Sequence, residues 1–109
     1  MSNDRFADAI NMKLQPCTTD NSLLSADLSN ASIQQTLEKI TVLETTGGFY
    51  VVVQIRWSGT KDWYLSTRRN RKEPKVFMDL KRLNEHLIEI CPSTGFELIR
   101  KMDFPSPSA

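Results

Sequence analysis

The run "FYVVVQIRW", Phe49–Trp57, constrains the fold more than any other stretch. Successive side chains of an extended chain point to opposite sides. Phe49, Val51, Val53, Ile55 and Trp57 therefore form one uninterrupted apolar face, and Tyr50, Val52, Gln54 and Arg56 a mixed, partly wet one. Just before it, "TTGG" at Thr45–Gly48 punctuates a hairpin, because glycines adopt the positive φ angles that tight turns demand. The turn joins "ITVLE" to the long strand. "SGTK" turns the chain again into "DWYLSTRR", where Trp63, Leu65 and Thr67 alternate with Tyr64, Ser66 and Arg68. "KVFM" reads as a short fourth strand and "FELIRK" as a last one at a sheet edge.

Helical signals flank these strands. Asp79 is a good N-cap for a helix from Leu80 to about Ile90, with an apolar stripe of Leu80, Leu83, Leu87, Ile90 and Cys91. Pro92 ends it. "SIQQ" at Ser32–Gln35 fits a capping box, and Ile33, Thr36, Leu37 and Ile40 follow at helical spacing, so a short helix is expected there. A strand beginning near Ile40 follows it. The expected fold is α+β: an antiparallel sheet of four to five strands, covered on one face by the helix at about 80–90.

The ends of the chain read differently. Residues 1–31, with "TTDNSLLSADLSNAS", are rich in side chains that compete with backbone ladders, and are expected to form a mobile arm. Phe6, Ile10 and Leu14 lie at the spacing of one short helix within it. Residues 32–102 are expected as a single α+β domain, and residues 103–109, "FPSPSA" with the preceding Asp103, as a tail with no reason to fold. No segment approaches the roughly 20 apolar residues of a membrane span, and the N-terminus carries no secretory pattern, so a cytoplasmic location without membrane contact is expected.

Chemistry is sparse. The single histidine, His86, lies on a charged helix and reads as a surface or boundary residue. Cys17 and Cys91 belong to no metal-ligand pattern, and a disulfide between them is unexpected in a reducing compartment. No nucleophile elbow, zinc-protease or phosphate-loop pattern is present. The chain is therefore expected not to be an enzyme and to carry no metal or cofactor.

The feature with directed chemistry is "STRRNRKEPK". Arg68, Arg69, Arg71, Lys72 and Lys75 fall within eight residues, opposed only by Glu73. The net charge of +1 hides an asymmetry: residues 1–55 carry three basic and six acidic side chains, residues 56–109 eleven basic and seven acidic. Arginine suits phosphate because its planar fork donates two parallel hydrogen bonds and stays charged. Arg56 and Tyr64 on the adjoining sheet, and Lys81 and Arg82 at the helix start, complete a candidate surface for the phosphate backbone of DNA or RNA. Two other readings stand beside it. Charged hairpin tips also arise simply as solvated, edge-protecting turns. A protein-interaction module is the third, a regulator, inhibitor or homodimer using the Tyr50–Val52 strip or the "FELIRK" edge.

In the order of their elements, "FYVVVQIRW", "DWYLSTRR", "KVFM" and "LKRLNEHLIEI" resemble the three-stranded DNA-binding sheets of recombinase arm domains, which lay strands in the major groove. Helix, three strands and helix is similar to double-stranded-RNA-binding domains. The Lys-Lys motif that opens their second helix is absent, and Lys81 and Arg82 stand near its place. Both likenesses concern residues 49–90 at most and carry no residue role with them.

Overall fold

The computed structural model describes residues 15–100. Their elements are β1 (Ser22–Leu23), α1 (Ser25–Ile33), β2 (Leu37–Thr45), β3 (Gly48–Ile55), β4 (Trp63–Leu65), α2 (Leu80–Ile90) and β5 (Glu97–Ile99). Short 3-10 turns lie at Thr19–Asn21 and Arg56–Ser58. The five strands form one sheet in the order β1-β4-β3-β2-β5.

The centre of the sheet is the expected hairpin. β2 and β3 pair antiparallel from Thr45↔Gly48 to Leu37↔Ile55, with a register shift between Leu37 and Lys39. Thr45 holds the turn: its hydroxyl accepts from the Gly47 amide at 3.1 Å and donates to the Gly48 carbonyl at 2.9 Å. Gly48 sits at φ +133°, and a Cβ there would stand 2.6 Å from Val76 Cγ2 and 2.9 Å from the Phe77 carbonyl. Only glycine meets both demands. The close approach matters because the Phe49 and Phe77 amides and carbonyls bond each other at 2.8 and 2.9 Å.

The sheet is mixed where an antiparallel one was expected. Its interior pairs are antiparallel, but β1 runs parallel to β4 and β5 parallel to β2. β5 reaches β2 only after the chain has crossed the sheet through α2, and such a crossover returns a strand parallel to its neighbour. The strand in "DWYLSTRR" covers Trp63–Leu65, with one further bridge at Ser66, so Arg68 and Arg69 lie in a bend beyond it. "KVFM" forms no strand; Phe77 makes a single bridge to Phe49, because β4 covers only the Val52–Val53 end of β3.

Residues 19–31, read as part of a mobile arm, belong to the fold. The expected capping box at Ser32 is a helix end. α1 starts seven residues earlier, where the Asp27 carboxylate accepts the Leu24 amide at 3.0 Å. It stops in a Schellman arrangement: Thr36 N–H bonds the Ala31 carbonyl at 2.9 Å and Gln35 N–H the Ser32 carbonyl at 3.1 Å, with Gln35 at φ +59°. Leu28 is fully buried and Ala31 nearly so. The arm residues Phe6, Ile10 and Leu14, and the tail at 103–109, lie outside the described residues.

Two apolar layers sandwich the sheet. On one face Ile40, Val42, Val51, Val53, Ile55 and Leu65 meet Leu28 and Ala31 of α1 and Leu83, Leu87 and Cys91 of α2. The Asp79 cap is as expected, accepting the Arg82 amide at 2.7 Å. On the other face Leu43, Val52 and Tyr64 bury Cys17. Each large aliphatic side chain so buried contributes about 1.5–3 kcal/mol. Trp57, expected on the buried face, lies past the end of β3 and is 66% exposed, because the chain turns at Arg56–Ser58 and leaves through Gly59 at φ +65°. Among the described residues no helix is long and apolar enough to cross a membrane.

Candidate functional site

The basic segment is a shaped loop. Ser66 bridges to Pro74, and Lys75 N–H bonds the Leu65 carbonyl at 2.7 Å, closing the loop at its base. Inside it Asn70 organises the turn. Its amide donates to Thr67 Oγ1 at 3.2 Å, its side-chain oxygen accepts the Lys72 amide at 3.0 Å, and its carbonyl accepts the Glu73 amide at 3.2 Å. Such short polar side chains satisfy backbone groups in place of a ladder, and so hold a loop in one shape.

The loop sorts its cations. Arg68, Arg69 and Lys72 are exposed and make no ion pair among the described residues. Arg71 turns inward: its Nη2 donates to the Ser22 carbonyl at 2.7 Å and its Nε to Ser22 Oγ at 3.3 Å. Its own carbonyl accepts the Cys17 thiol at 3.6 Å. Arg71 is thus an anchor that ties the loop to β1. Lys75 is half-buried, with its ammonium 5.5 Å from the Phe77 ring centre. Arg68, Lys75, Ser25, Ser66 and Thr67 line a recess of about 320 Å³ between the loop and the start of α1.

The other candidates do not join this group as expected. Tyr64 is 1% exposed and donates its hydroxyl to the Gln15 carbonyl at 2.6 Å, so it offers no stacking face. Burial, then the neighbouring Cys17 and Asp62, raises its pKa well above the ordinary value. The second sheet face is covered where alternation predicts it wet, because residues 15–17 cross it. For the same reason Val52 is only 1% exposed, while Tyr50 is half-buried. Arg56 is engaged by Glu38 at 2.8 Å. Lys81 and Arg82 are exposed on the first turn of α2, with Arg82 3.6 Å from Asp79.

Two features escaped the sequence. His86 is half-buried: its Nε2 lies 2.9 Å from Ser25 Oγ, and its ring centre is 5.5 Å from that of Phe77. Burial, then the Lys75 ammonium, lowers its pKa below the ordinary 6.5, against a smaller opposing pull from Glu89. The pair ties α1 to α2, and no spacing rule finds partners 61 residues apart. The second is a groove of about 620 Å³ between α1 and the β3–β4 turn, lined by Trp57, Trp63, Asp20, Asn30, Gln34 and Arg71 among others. The two indoles meet edge to face with centres 5.7 Å apart, and Trp63 Nε1 donates to Ser58 Oγ at 2.9 Å.

Chemically, the arrangement offers positive charge on a shaped loop. Three cations without an ion pair among the described residues attract a polyanion, and Arg68 and Lys75 carry that charge to the recess, whose Ser25, Ser66 and Thr67 hydroxyls are already bonded to His86, Leu23 and Asn70. Among the described residues no group of three acids, histidines or cysteines could hold a metal ion, and no carboxylate bonds the His86 ring. The chain matches no protein-family model, no curated protein and no solved structure.

Proposed function

We propose that this protein binds the phosphate backbone of nucleic acid through the 68–75 loop, without catalysis. The observation that carries the reading is the loop's division of labour. Arg71 is committed to holding the shape, while Arg68, Arg69 and Lys72 stand outside it with no carboxylate of the described chain against them. Lys75 and Arg68 share the adjoining recess, and Lys81 and Arg82 add positive charge on α2. Arg56 and Tyr64 take no part.

Each phosphate neutralised releases counterions, so log K falls against log salt by about 0.9 per contact on duplex DNA and about 0.7 on a single strand. Three loop cations therefore account for a slope of roughly 2–3. Binding of fluorescently labelled DNA and RNA oligonucleotides across a salt series tests this. The Arg68→Ala/Arg69→Ala/Lys72→Ala variant is expected to lose most of the slope and at least 10-fold in affinity at low salt. A variant that binds as the wild type does, with the same slope, removes the assignment.

The second reading, a protein-interaction module, is supported by β5. Among the described residues it pairs only with β2 and leaves its outer side as a sheet edge. A hydrodynamic size that grows with concentration, unaffected by the triple loop variant, favours pairing of this chain with a copy of itself over nucleic-acid binding.

A further inference from the structure

The nucleic acid is single-stranded: we infer that the Trp57 groove receives an unstacked base while the neighbouring loop holds the phosphates. This rests on the backbone-binding reading above and adds the strandedness of the ligand. Three observations carry it.

The first is continuity. Arg71 belongs to the basic loop and also lines the groove, and its guanidinium is fixed there by the backbone and hydroxyl of Ser22. The basic loop and the groove therefore meet at Arg71.

The second is the aromatic surface. Trp57 is 66% exposed although Trp63 braces its edge, and Trp63 is itself held by its hydrogen bond to Ser58 and by the Lys61 ammonium 4.0 Å from its ring centre. Lys61 in turn donates to the Asp20 carbonyl at 2.8 Å, so the brace is tied to the floor of the groove. A large indole held in place and left in water is a stacking platform that has lost little entropy in advance.

The third is the edge chemistry. Asn30 on α1 and Gln34 just past its end offer amide donors and acceptors along the groove, and Asp20 offers a carboxylate. Asp27 also lines it, with one oxygen committed to the Leu24 amide. Amides and acceptor-only carboxylates match the ring nitrogens and exocyclic amines of a base, whereas those same acids repel phosphate. A duplex hides its Watson–Crick edges and stacked faces, so it has nothing to place here. A single strand puts phosphates on the loop and a base in the groove.

The test is fluorescence anisotropy with labelled dT12, dA12 and a 12-base-pair duplex at low and moderate salt, together with tryptophan emission. The wild type is expected to bind the single strands more tightly than the duplex and to lose tryptophan emission on binding. Trp57→Ala is expected to weaken binding to the single strands roughly 10- to 100-fold, the size of one lost base–aromatic stack, with the salt slope unchanged. Trp57→Phe is expected to recover part of the loss. Equal affinity for duplex and single strand, or a Trp57→Ala variant as tight as wild type, overturns the inference while the loop assignment stands. A triple loop variant with unchanged affinity overturns the loop assignment, and the inference goes with it.

Discussion

Arg71 separates a structural cation from a ligand-binding one, and the two roles make opposite predictions. Replacing it with alanine removes a charge-assisted hydrogen bond of 2.7 Å and a longer one of 3.3 Å, both to a serine that is itself 1% exposed. Bonds of the first kind contribute about 1.5–3 kcal/mol and of the second about 0.5–1. Discounting for the half-exposed guanidinium leaves about 2 kcal/mol for Arg71→Ala. Arg71→Lys keeps the charge, but a single ammonium does not reproduce the planar fork, so about 1 kcal/mol is lost. With a urea m-value of about 1–1.5 kcal/mol per molar for a chain of this size, the midpoint of Arg71→Ala falls by roughly 1.5 M. Tryptophan emission during urea unfolding reports it. Below the transition, the salt slope of nucleic-acid binding is expected to stay as in the wild type for both variants, whereas Arg68→Ala lowers it by about 0.7–0.9. An Arg71→Ala protein with an unshifted midpoint and a slope reduced like that of Arg68→Ala would show that Arg71 binds phosphate and that the anchoring role is mistaken.

Other outcomes follow from the packing. Gly48→Ala places a methyl group 2.9 Å from a backbone carbonyl at a φ of +133°, and is expected to cost about 2–4 kcal/mol in a denaturation experiment. Gln35→Gly relieves the left-handed residue at the end of α1, and is expected to raise stability by about 0.5–1 kcal/mol, the strain relieved less glycine's extra chain entropy. Burial, then Glu73, pushes the Cys17 thiol up to about 11, so native protein is expected to react with thiol reagents at neutral pH far more slowly than unfolded protein. His86 is held below 6.5, so the unfolded chain takes up its proton first. Stability is therefore expected to fall as pH drops below about 6.5 and to level off beneath the folded value, and His86→Gln should flatten that part of the profile in calorimetry.

What the sequence made legible was local. Alternation along Phe49–Ile55, the glycine turn and the Asp79-capped stripe on α2 each follow from rules spanning a few residues, and each is present. The edge strands are a different matter. β1 is two residues long and pairs with β4 some forty residues later, and no periodicity exists in two residues. α1 hides among serines and asparagines because only Leu28 and Ala31 need burial along it, and its end is closed by a glutamine where glycine would have signalled the stop. The basic cluster was legible as composition, but its roles were not. That Arg71 faces inward depends on Ser22, and that Arg56 is paired depends on Glu38 on the neighbouring strand. The Trp57–Trp63 groove was missed because alternation assigned Trp57 to the interior, and the pattern does not announce where a strand stops.

The outermost strands come from opposite ends of the described chain, β1 near its start and β5 near its finish. The central hairpin closes over a two-residue gap and has all its contacts at hand, whereas β1 waits for residue 64 before it has a neighbour. Assembly should therefore spread outward from the middle, with both rims zipped last. Cutting back from either side past these few residues would lay bare a row of backbone amides and carbonyls, and invite copies of the chain to stack rim to rim.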